Sequence, residues 1–179
     1  MTMFGKLIEA ELPRLRRYAL PLLRNTDRAD DLVQDTVLRA LEKKHLYQSG
    51  TNLRAWLFTL MHNQYVNTVR RSVRQGSMVH IDDIQPATPA TQMRRLELND
   101  LERAVARLPD EQRTVLLLVG LEGMKYEEVA EIHEVPVGTV RSRLSRARTA
   151  IRSMLDGESD RPSLRSLPAR IDPAATALA

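Results

Sequence analysis

The sequence contains no cysteine. This absence excludes disulfide bonds, cysteine-ligated zinc and thiol nucleophiles. No run of about eighteen uninterrupted apolar residues occurs, and residues 1–11 do not show a cationic stretch followed by an apolar one. We therefore expect no membrane span and no export, and we expect the protein to be cytoplasmic.

Acidic residues are missing from two long windows, although the chain has 23 of them. Residues 43–81 carry six lysines and arginines without an acid, and residues 135–155 carry five arginines. The net charge is only +4, so the segregation of the charges is more informative than their sum. The pattern predicts two separate surfaces that bind a polyanion.

The apolar spacing predicts an all-α fold of two small helical domains joined by a flexible linker. The chain has 179 residues, 42% of them hydrophobic, which is enough for real cores. No alternating strand pattern or hairpin signal is present. We assign residues 7–75 to the first domain, 76–92 to the linker, 93–155 to the second domain and 156–179 to a disordered tail, because the linker and tail are rich in proline and poor in apolar periodicity.

Three helices are predicted in the first domain. The first begins near Leu7, with Pro13 in its first turn. The second spans about residues 28–44, and its inward stripe is Ala29, Val33, Val37, Ala40 and Leu41. The third spans about residues 53–74 and is apolar nearly all round in its first two turns, which predicts that this part is buried.

The second domain ends in a helix-turn-helix pattern. A short helix from Tyr126 to Ile132 is followed by a tight turn and a basic helix that begins at Pro136. On that last helix one face is apolar, and short hydroxyl side chains with arginines lie on the other, which suits a helix in the major groove of DNA. The DNA-facing candidates are Thr139, Arg141, Ser142, Arg143, Ser145, Arg146 and Arg148.

The third helix carries a second stripe of polar and basic side chains. Amides can read base edges and arginines can hold phosphates, and the loop of residues 49–52 before the helix can shape a pocket for an unstacked base. This second set of nucleic-acid candidates is Thr51, Asn52, Asn63, Asn67, Arg70, Arg71 and Arg74. Taken alone, the stripe is equally compatible with an ordinary solvated face.

The second helix carries the opposite charge. Asp31, Asp35 and Glu42 share a face with Leu38. An apolar residue within an acidic patch indicates a protein partner with basic and apolar residues. Acids that complement the helix dipole explain Asp27 and Asp30 but not acids farther along the helix.

Three segments together resemble bacterial sigma-70-type factors of the extracytoplasmic-function (ECF) class. They are DDLVQDTVLRAL at residues 30–41, NLRAWLFTL at 52–60 with Asn63, and YEEVA at 126–130 followed by VGTVRSRLSRAR at 137–148. The resemblance covers about residues 7–155 in the family's order and spacing. It implies a sigma-2 domain, a linker and a sigma-4 domain.

The resemblance also implies a role for each surface. The helix with Asp30, Asp31, Gln34, Asp35 and Leu38 would bind core RNA polymerase. The loop and helix from Thr51 to Arg74 would read and open the minus-ten element of promoter DNA, and the last helix would read the minus-thirty-five element. The sequences of residues 27–34 and 49–56 resemble those of the general-stress (EcfG-like) subgroup, whose members are inhibited by an anti-sigma protein.

The sequence departs from the family pattern at two positions of the helix-turn-helix. Lys125 stands where the family usually has Ser or Thr as helix cap, so the helix lacks a cap that contributes about 1 kcal/mol of stability. Glu134 stands where glycine is common, so a left-handed backbone there is strained by about 1 kcal/mol or more.

Two other function classes compete with this interpretation. A helix-turn-helix repressor or activator with a helical partner-binding domain would leave the stripe from Asn63 to Arg74 unexplained. A metal-dependent hydrolase would use Asp30, Asp31, Asp82, Asp83 and the histidines, but the four histidines show no paired helical spacing and no phosphate loop or nucleophile elbow is present. We therefore expect no enzymatic activity, no cofactor and no metal.

Overall fold

The structure, a computed structural model, describes residues 3–74 and 92–159. Within these ranges it contains seven α-helices and no β-strand, so the predicted all-α class is confirmed. The helices are α1 (Met3–Leu23), α2 (Thr26–Glu42), α3 (Leu53–Arg74), α4 (Gln92–Ala106), α5 (Asp110–Leu116), α6 (Tyr126–His133) and α7 (Val137–Ser159). A 3₁₀ turn, Lys44–Leu46, precedes α3, and a π-helical turn, Leu117–Leu121, follows α5.

Two of the sequence assignments fall largely on residues outside the described ranges: the linker, except for Gln92, and the tail from residue 160 onward. Residues 156–159, part of the predicted tail, continue α7 as helix. In the described part of the chain, every helix is too short or too polar to cross a membrane.

In the first domain α2 packs against both α1 and α3. Asn25 caps α2, because its side-chain oxygen accepts a hydrogen bond from the backbone N–H of Arg28 at 2.9 Å. The Tyr18 and Phe58 rings meet edge to face with their centroids 5.3 Å apart, and both side chains are buried. The predicted burial of the first turns of α3 is confirmed, since Leu57 and Met61 are also fully buried.

Two details of α1 and α2 differ from the sequence prediction. Helix α1 begins at Met3, so Pro13 lies in the helix interior and not in its first turn. Phe4 and Ile8 are buried and carry the apolar face farther toward the N-terminus than predicted. On α2 the prediction that Leu41 faces inward is wrong, because its side chain is 47% exposed.

The inward face of α2 is instead centred on Leu32 and Thr36, both buried. The Thr36 hydroxyl donates to the Leu32 carbonyl oxygen at 2.7 Å and lies 3.0 Å from the Gln64 side-chain oxygen. A threonine is tolerated in the core because its hydroxyl is hydrogen-bonded, a pairing that apolar periodicity does not show.

The second domain packs α7 against α4, α5 and α6. Its core contains Val115, Leu118, Val129, Ile132 and Val140, all nearly inaccessible to solvent. Helices α6 and α7 and the three residues between them form the predicted helix-turn-helix. Glu134 has φ of 53° and ψ of 44°, which is the strained left-handed backbone expected at this position.

The two domains also contact each other. Helix α3 packs against α6, and α1 packs against α4 and the π-helical turn. The buried apolar side chains of both domains form one continuous cluster. The domains are therefore closed onto one another.

Candidate nucleic-acid interface

The last helix, α7, presents a polar face to solvent. Its opposite face buries Val140, Leu144 and Ala147 in the second domain, so their spacing dictates which side chains point outward. The exposed candidates are Arg141, Ser142, Ser145, Arg146 and Arg148, and Thr139 is half-buried. Short hydroxyls between arginines leave room for a close approach to DNA.

Two arginines on this face are held by neighbours. The Arg146 guanidinium donates from Nε to the Ser142 carbonyl oxygen and from Nη2 to the Ser142 hydroxyl, each at 3.3 Å. The Arg141 guanidinium lies 5.8 Å from the centroid of the Tyr126 ring, so a cation–π contact orients it. Such pre-positioned guanidinium groups lose less side-chain entropy when they bind DNA.

Arg143 is placed differently from its neighbours on α7. Its side chain is only 15% exposed, and its Nη2 lies 2.6 Å from a carboxylate oxygen of Glu111 on α5. Its charge is therefore paired within the second domain in this conformation. To contact DNA, Arg143 has to exchange Glu111 for a phosphate or a base.

The second candidate surface runs along α3. Asn63, Asn67, Arg70, Arg71 and Arg74 are all exposed, as a face directed to a partner requires. The helix begins after Asn52, whose side-chain oxygen accepts the Ala55 N–H at 3.1 Å.

The loop that leads into α3 is held by an aromatic cluster of Phe4, Tyr47 and Trp56. Their ring centroids are 5.4 to 6.4 Å apart. The Tyr47 hydroxyl donates to the Thr51 carbonyl oxygen at 2.9 Å, and the Thr51 hydroxyl donates to the Gln48 carbonyl oxygen at 2.7 Å. The loop is thus held against the first domain by the Tyr47 ring, which contacts the rings of Phe4 and Trp56.

The acidic surface lies on α2. Asp31, Gln34 and Asp35 are exposed, and Leu38 is 58% exposed among them. Asp30 is half-buried and makes a two-pronged ion pair with Arg16, at 2.9 and 3.1 Å. Asp30 therefore joins α1 to α2, whereas Asp31 and Asp35 form no ion pair within residues 3–74 and 92–159 and leave a negative surface around Leu38.

A polar network that no local sequence pattern predicts joins the two domains. Glu122, in the second domain, is fully buried and pairs with Arg17 and Arg54 of the first. The Arg113 guanidinium donates to the Tyr65 hydroxyl at 3.1 Å. These residues have no distinctive spacing, so no local pattern reveals that they meet.

Two further pairs of groups also meet between the domains. The Asn52 side-chain amide donates to a Glu128 carboxylate oxygen at 2.6 Å. The rings of His62 and His133 lie 4.1 Å apart between α3 and α6. Burial, followed by the charge of Arg143, lowers the pKa of His62 to about 4. Burial, followed by His62 and Arg143, lowers the pKa of His133 to about 3, so both rings are neutral near pH 7.

The described residues bring no three His, Asp or Glu side chains together in a way that could hold a metal ion. The polar surfaces suited to binding are therefore the basic faces of α3 and α7 and the acidic face of α2. They lie on different helices, and their charges differ in sign.

Two family models match the chain, one in each domain. The model described as "Sigma2 domain of PhyR" matches residues 8–62. The model described as "Sigma-70, region 4" matches residues 98–151. The first match includes α2 and the start of α3, and the second includes the helix-turn-helix.

Several known proteins are similar to this chain along most of their length. The ECF RNA polymerase sigma factor EcfG of Rhodopseudomonas palustris is 41% identical over 160 residues, which cover 86% of each chain. Among solved structures, the sigma factor RpoE of Bartonella quintana, in complex with the anti-sigma factor NepR, superposes with a TM-score of 0.73 at 34% identity, covering 86% of this chain and 96% of that one. CnrH, in complex with the cytosolic domain of CnrY, gives a TM-score of 0.66 at 25% identity, covering 87% and 88%.

The resemblance drawn from the three sequence motifs is thus confirmed, and it takes precedence over the repressor and hydrolase alternatives. Identity to a curated relative extends through both domains, and each domain matches its own family model. This chain belongs to the extracytoplasmic-function RNA polymerase sigma factors.

Proposed function

We propose that this sigma factor divides its work among three surfaces. The acidic face of α2, with Asp30, Asp31, Gln34, Asp35 and Leu38, binds core RNA polymerase in the cytoplasm. The loop and basic face of α3 bind the minus-ten promoter element, and the polar face of α7 binds the minus-thirty-five element. The protein directs promoter-specific initiation and catalyses no reaction of its own.

The observation that carries this proposal is the separation of the charges. Asp35 lies exposed on α2 beside Leu38, and no ion pair joins it to another residue that the structure describes. This face would repel a phosphate backbone but suits a protein with basic and apolar groups. Arg146 lies exposed among hydroxyl side chains on the basic face of α7, and its positive charge attracts phosphates. Each surface therefore fits one partner and rejects the other.

The test is transcription with purified core polymerase, which starts from specific promoters only when a sigma factor is added. Promoters are found by sequencing the transcripts made by core polymerase with and without this chain. A protein that merely represses transcription adds no start sites to core polymerase alone. Such a result would contradict the proposal.

Two substitutions separate the polymerase surface from the promoter surface. Asp35→Ala should weaken core binding and leave binding of the isolated minus-thirty-five duplex unchanged. Arg146→Ala should leave core binding unchanged, weaken duplex binding and reduce the salt slope of log K by about one. Exposed residues on α1, away from both surfaces, supply matched controls, Glu9→Ala and Arg14→Ala. Equal effects of both changes on both steps would refute the division.

We further propose that an anti-sigma protein inhibits this sigma factor and that it serves a general stress response. The support is its likeness to EcfG and to RpoE, which was solved with an anti-sigma factor bound. Deleting the coding sequence should then abolish a set of stress-induced transcripts whose promoters match those found with the purified proteins. A deletion strain with an unchanged stress transcriptome would contradict this role.

A further inference from the structure

The loop of residues 47–52 leads into α3 and is mostly exposed. Residues 48–52 are all exposed to solvent. Gly50 has φ of 91°, a left-handed backbone that glycine adopts without strain, and open space surrounds the position where a Cβ would lie. An exposed loop with few buried contacts samples several conformations unless neighbouring elements restrain it. Its shape therefore depends on what holds its two ends.

One ring, that of Phe4 on α1, contacts both ends of this loop. Its centroid lies 5.5 Å from the ring of Tyr47, where the loop begins, and 6.4 Å from the ring of Trp56, in the first turn of α3. The Tyr47 and Trp56 ring centroids are 5.4 Å apart. Phe4 is 7% exposed, and the other two rings are partly buried. Aromatic rings attract each other at these separations, so the cluster holds the two ends of the loop together.

The cluster also fixes the backbone of the loop. The Tyr47 hydroxyl donates a hydrogen bond to the Thr51 carbonyl oxygen at 2.9 Å. Thr51 in turn donates to the Gln48 carbonyl oxygen, from its backbone N–H at 3.1 Å and from its hydroxyl at 2.7 Å. The peptide group that Tyr47 holds joins Thr51 to Asn52, the two loop residues proposed to contact the minus-ten element. Their orientation therefore follows from the position of the Tyr47 side chain.

A positive charge is held beside the same rings. The Lys44 Nζ atom lies 5.7 Å from the centroid of the Phe4 ring, and the Lys44 side chain is exposed. A cation–π contact of this kind orients the ammonium group while the group remains in water. The aromatic cluster thus places a cation next to the loop, where it attracts a DNA phosphate.

Phe4 lies before the residues that the family model matches. The sigma-2 model matches residues 8–62, which include Tyr47 and Trp56 but not Phe4. The first turn of α1 supplies this ring because the helix begins at Met3. Phe4 and Ile8 are four residues apart on one face of the helix, and burial of both packs that turn against the first domain. The role of Phe4 follows from these contacts and not from the family match.

We propose that Phe4 and Tyr47 are positioning residues for promoter recognition: they hold the 47–52 loop in the conformation that receives an unstacked base of the minus-ten element. This inference rests on the minus-ten role proposed above for the loop. A loop that is already in its binding conformation loses less conformational entropy when DNA binds. A loop released from the rings occupies that conformation for only a fraction of the time, and its apparent affinity falls by the same fraction. The first turn of α1 thereby sets the strength of minus-ten recognition.

The experiment measures binding of single-stranded DNA to the holoenzyme, formed from core polymerase and the full chain. One probe carries the minus-ten sequence of a promoter found by transcript sequencing, and a second probe carries the same bases in scrambled order. Tyr47→Phe keeps the ring and removes only the hydroxyl. Phe4→Ala removes the ring that joins the two ends of the loop, and Phe4→Tyr keeps a ring there.

Two control variants make similar chemical changes elsewhere in the first domain. Tyr18→Phe removes a hydroxyl that has no hydrogen-bond partner within residues 3–74 and 92–159. Leu7→Ala truncates an apolar side chain that is 45% exposed on the same helix as Phe4. Trp56 is the only tryptophan of the chain, so tryptophan fluorescence reports directly on the packing of the three rings.

Tyr47→Phe should lower the affinity of the holoenzyme for the minus-ten strand about fivefold, a typical effect of losing one hydrogen bond. Phe4→Ala should lower it at least about tenfold, because the loop leaves its binding conformation, and should shift the Trp56 emission to longer wavelength as the indole meets water. Phe4→Tyr and both controls should bind within about twofold of the wild type. Affinities for core polymerase, the minus-thirty-five duplex and the scrambled strand should not change in any variant.

Wild-type affinity for the minus-ten strand in both Tyr47→Phe and Phe4→Ala would overturn the positioning role. Equal losses for the minus-ten and scrambled strands, or weaker binding to core polymerase, would overturn it too, because the cluster would then only stabilise the first domain. A wild-type holoenzyme that binds both strands equally would instead refute the minus-ten role of the loop, which is a failure of the proposed function itself.

Discussion

Lowering the pH from 7.5 to 5.5 should destabilise the closed protein through two histidines at the domain interface. His62 on α3 and His133 on α6 lie with ring centroids 4.1 Å apart. Their pKa values are lowered to about 4 and about 3, first by burial and then by nearby positive charge, including that of Arg143 on α7. Neither ring binds a proton in the folded protein at pH 5.5.

The sign and size of the effect follow from proton linkage. In the unfolded chain a histidine has a pKa of about 6.5, so below that pH the unfolded state binds protons that the folded state does not. Stability is therefore complete above pH 6.5 and falls as the pH decreases toward the folded pKa values. At pH 5.5, about one unit below 6.5, each histidine lowers the free energy of unfolding by about 1.4 kcal/mol, and the pair lowers it by about 3 kcal/mol.

The assay is urea unfolding at both pH values, followed by circular dichroism. The double variant His62→Phe with His133→Phe keeps two packed rings and removes both titrating groups. When the pH is lowered from 7.5 to 5.5, the free energy of unfolding of this variant should fall by about 3 kcal/mol less than that of the wild type. His45→Phe, at an exposed position in the 3₁₀ turn, is the matched control and should lose as much as the wild type. Equal losses in the wild type and the double variant would refute the reasoning.

Three smaller effects are expected in urea unfolding. Lys125→Thr supplies a hydroxyl cap to α6 and should stabilise by about 1 kcal/mol, whereas Lys125→Ala should give no gain. Glu134→Gly removes left-handed strain at φ 53° and should stabilise by about 1 kcal/mol, whereas Glu131→Gly, in the helical part of α6, should destabilise by a similar amount. Tyr65→Phe deletes the hydroxyl that accepts from Arg113 and should cost about 1 to 2 kcal/mol. Opposite signs in any of these would contradict the local geometry.

The helices were largely predictable because their signals are local. The bounds of α3 agree with the prediction from apolar content and the preceding Ser-Gly-Thr-Asn segment. The turn before α7 was predictable to the level of backbone conformation, since Glu134 adopts the left-handed geometry expected from the helix-turn-helix pattern. Periodicity was less reliable on α2, where Thr36 is buried with its hydroxyl hydrogen-bonded and Leu41 is exposed.

The contacts between the domains were not predictable, because they join residues far apart in the sequence. Glu122 is 105 residues from Arg17 and 68 from Arg54. Nothing in the residues next to Glu122 indicates that its carboxylate is buried, and an isolated acid beside glycines is usually exposed. Arg143 was predicted to face DNA from its position on α7, and its ion pair with Glu111 depends on how α5 packs.

The domain interface contains buried polar pairs beside its apolar contacts. An interface that never opens is typically dominated by apolar side chains, like a core cut in half. Here the contacts between α1 or α3 and the second domain include the ion pairs of Glu122 with Arg17 and Arg54, the Tyr65–Arg113 hydrogen bond and the histidine pair. Each of these polar groups is well hydrated once the domains separate, but opening also exposes apolar side chains of the continuous core cluster. Acidification acts in the same direction, because charged histidines favour water over each other, and the closed state is therefore sensitive both to competing partners and to pH.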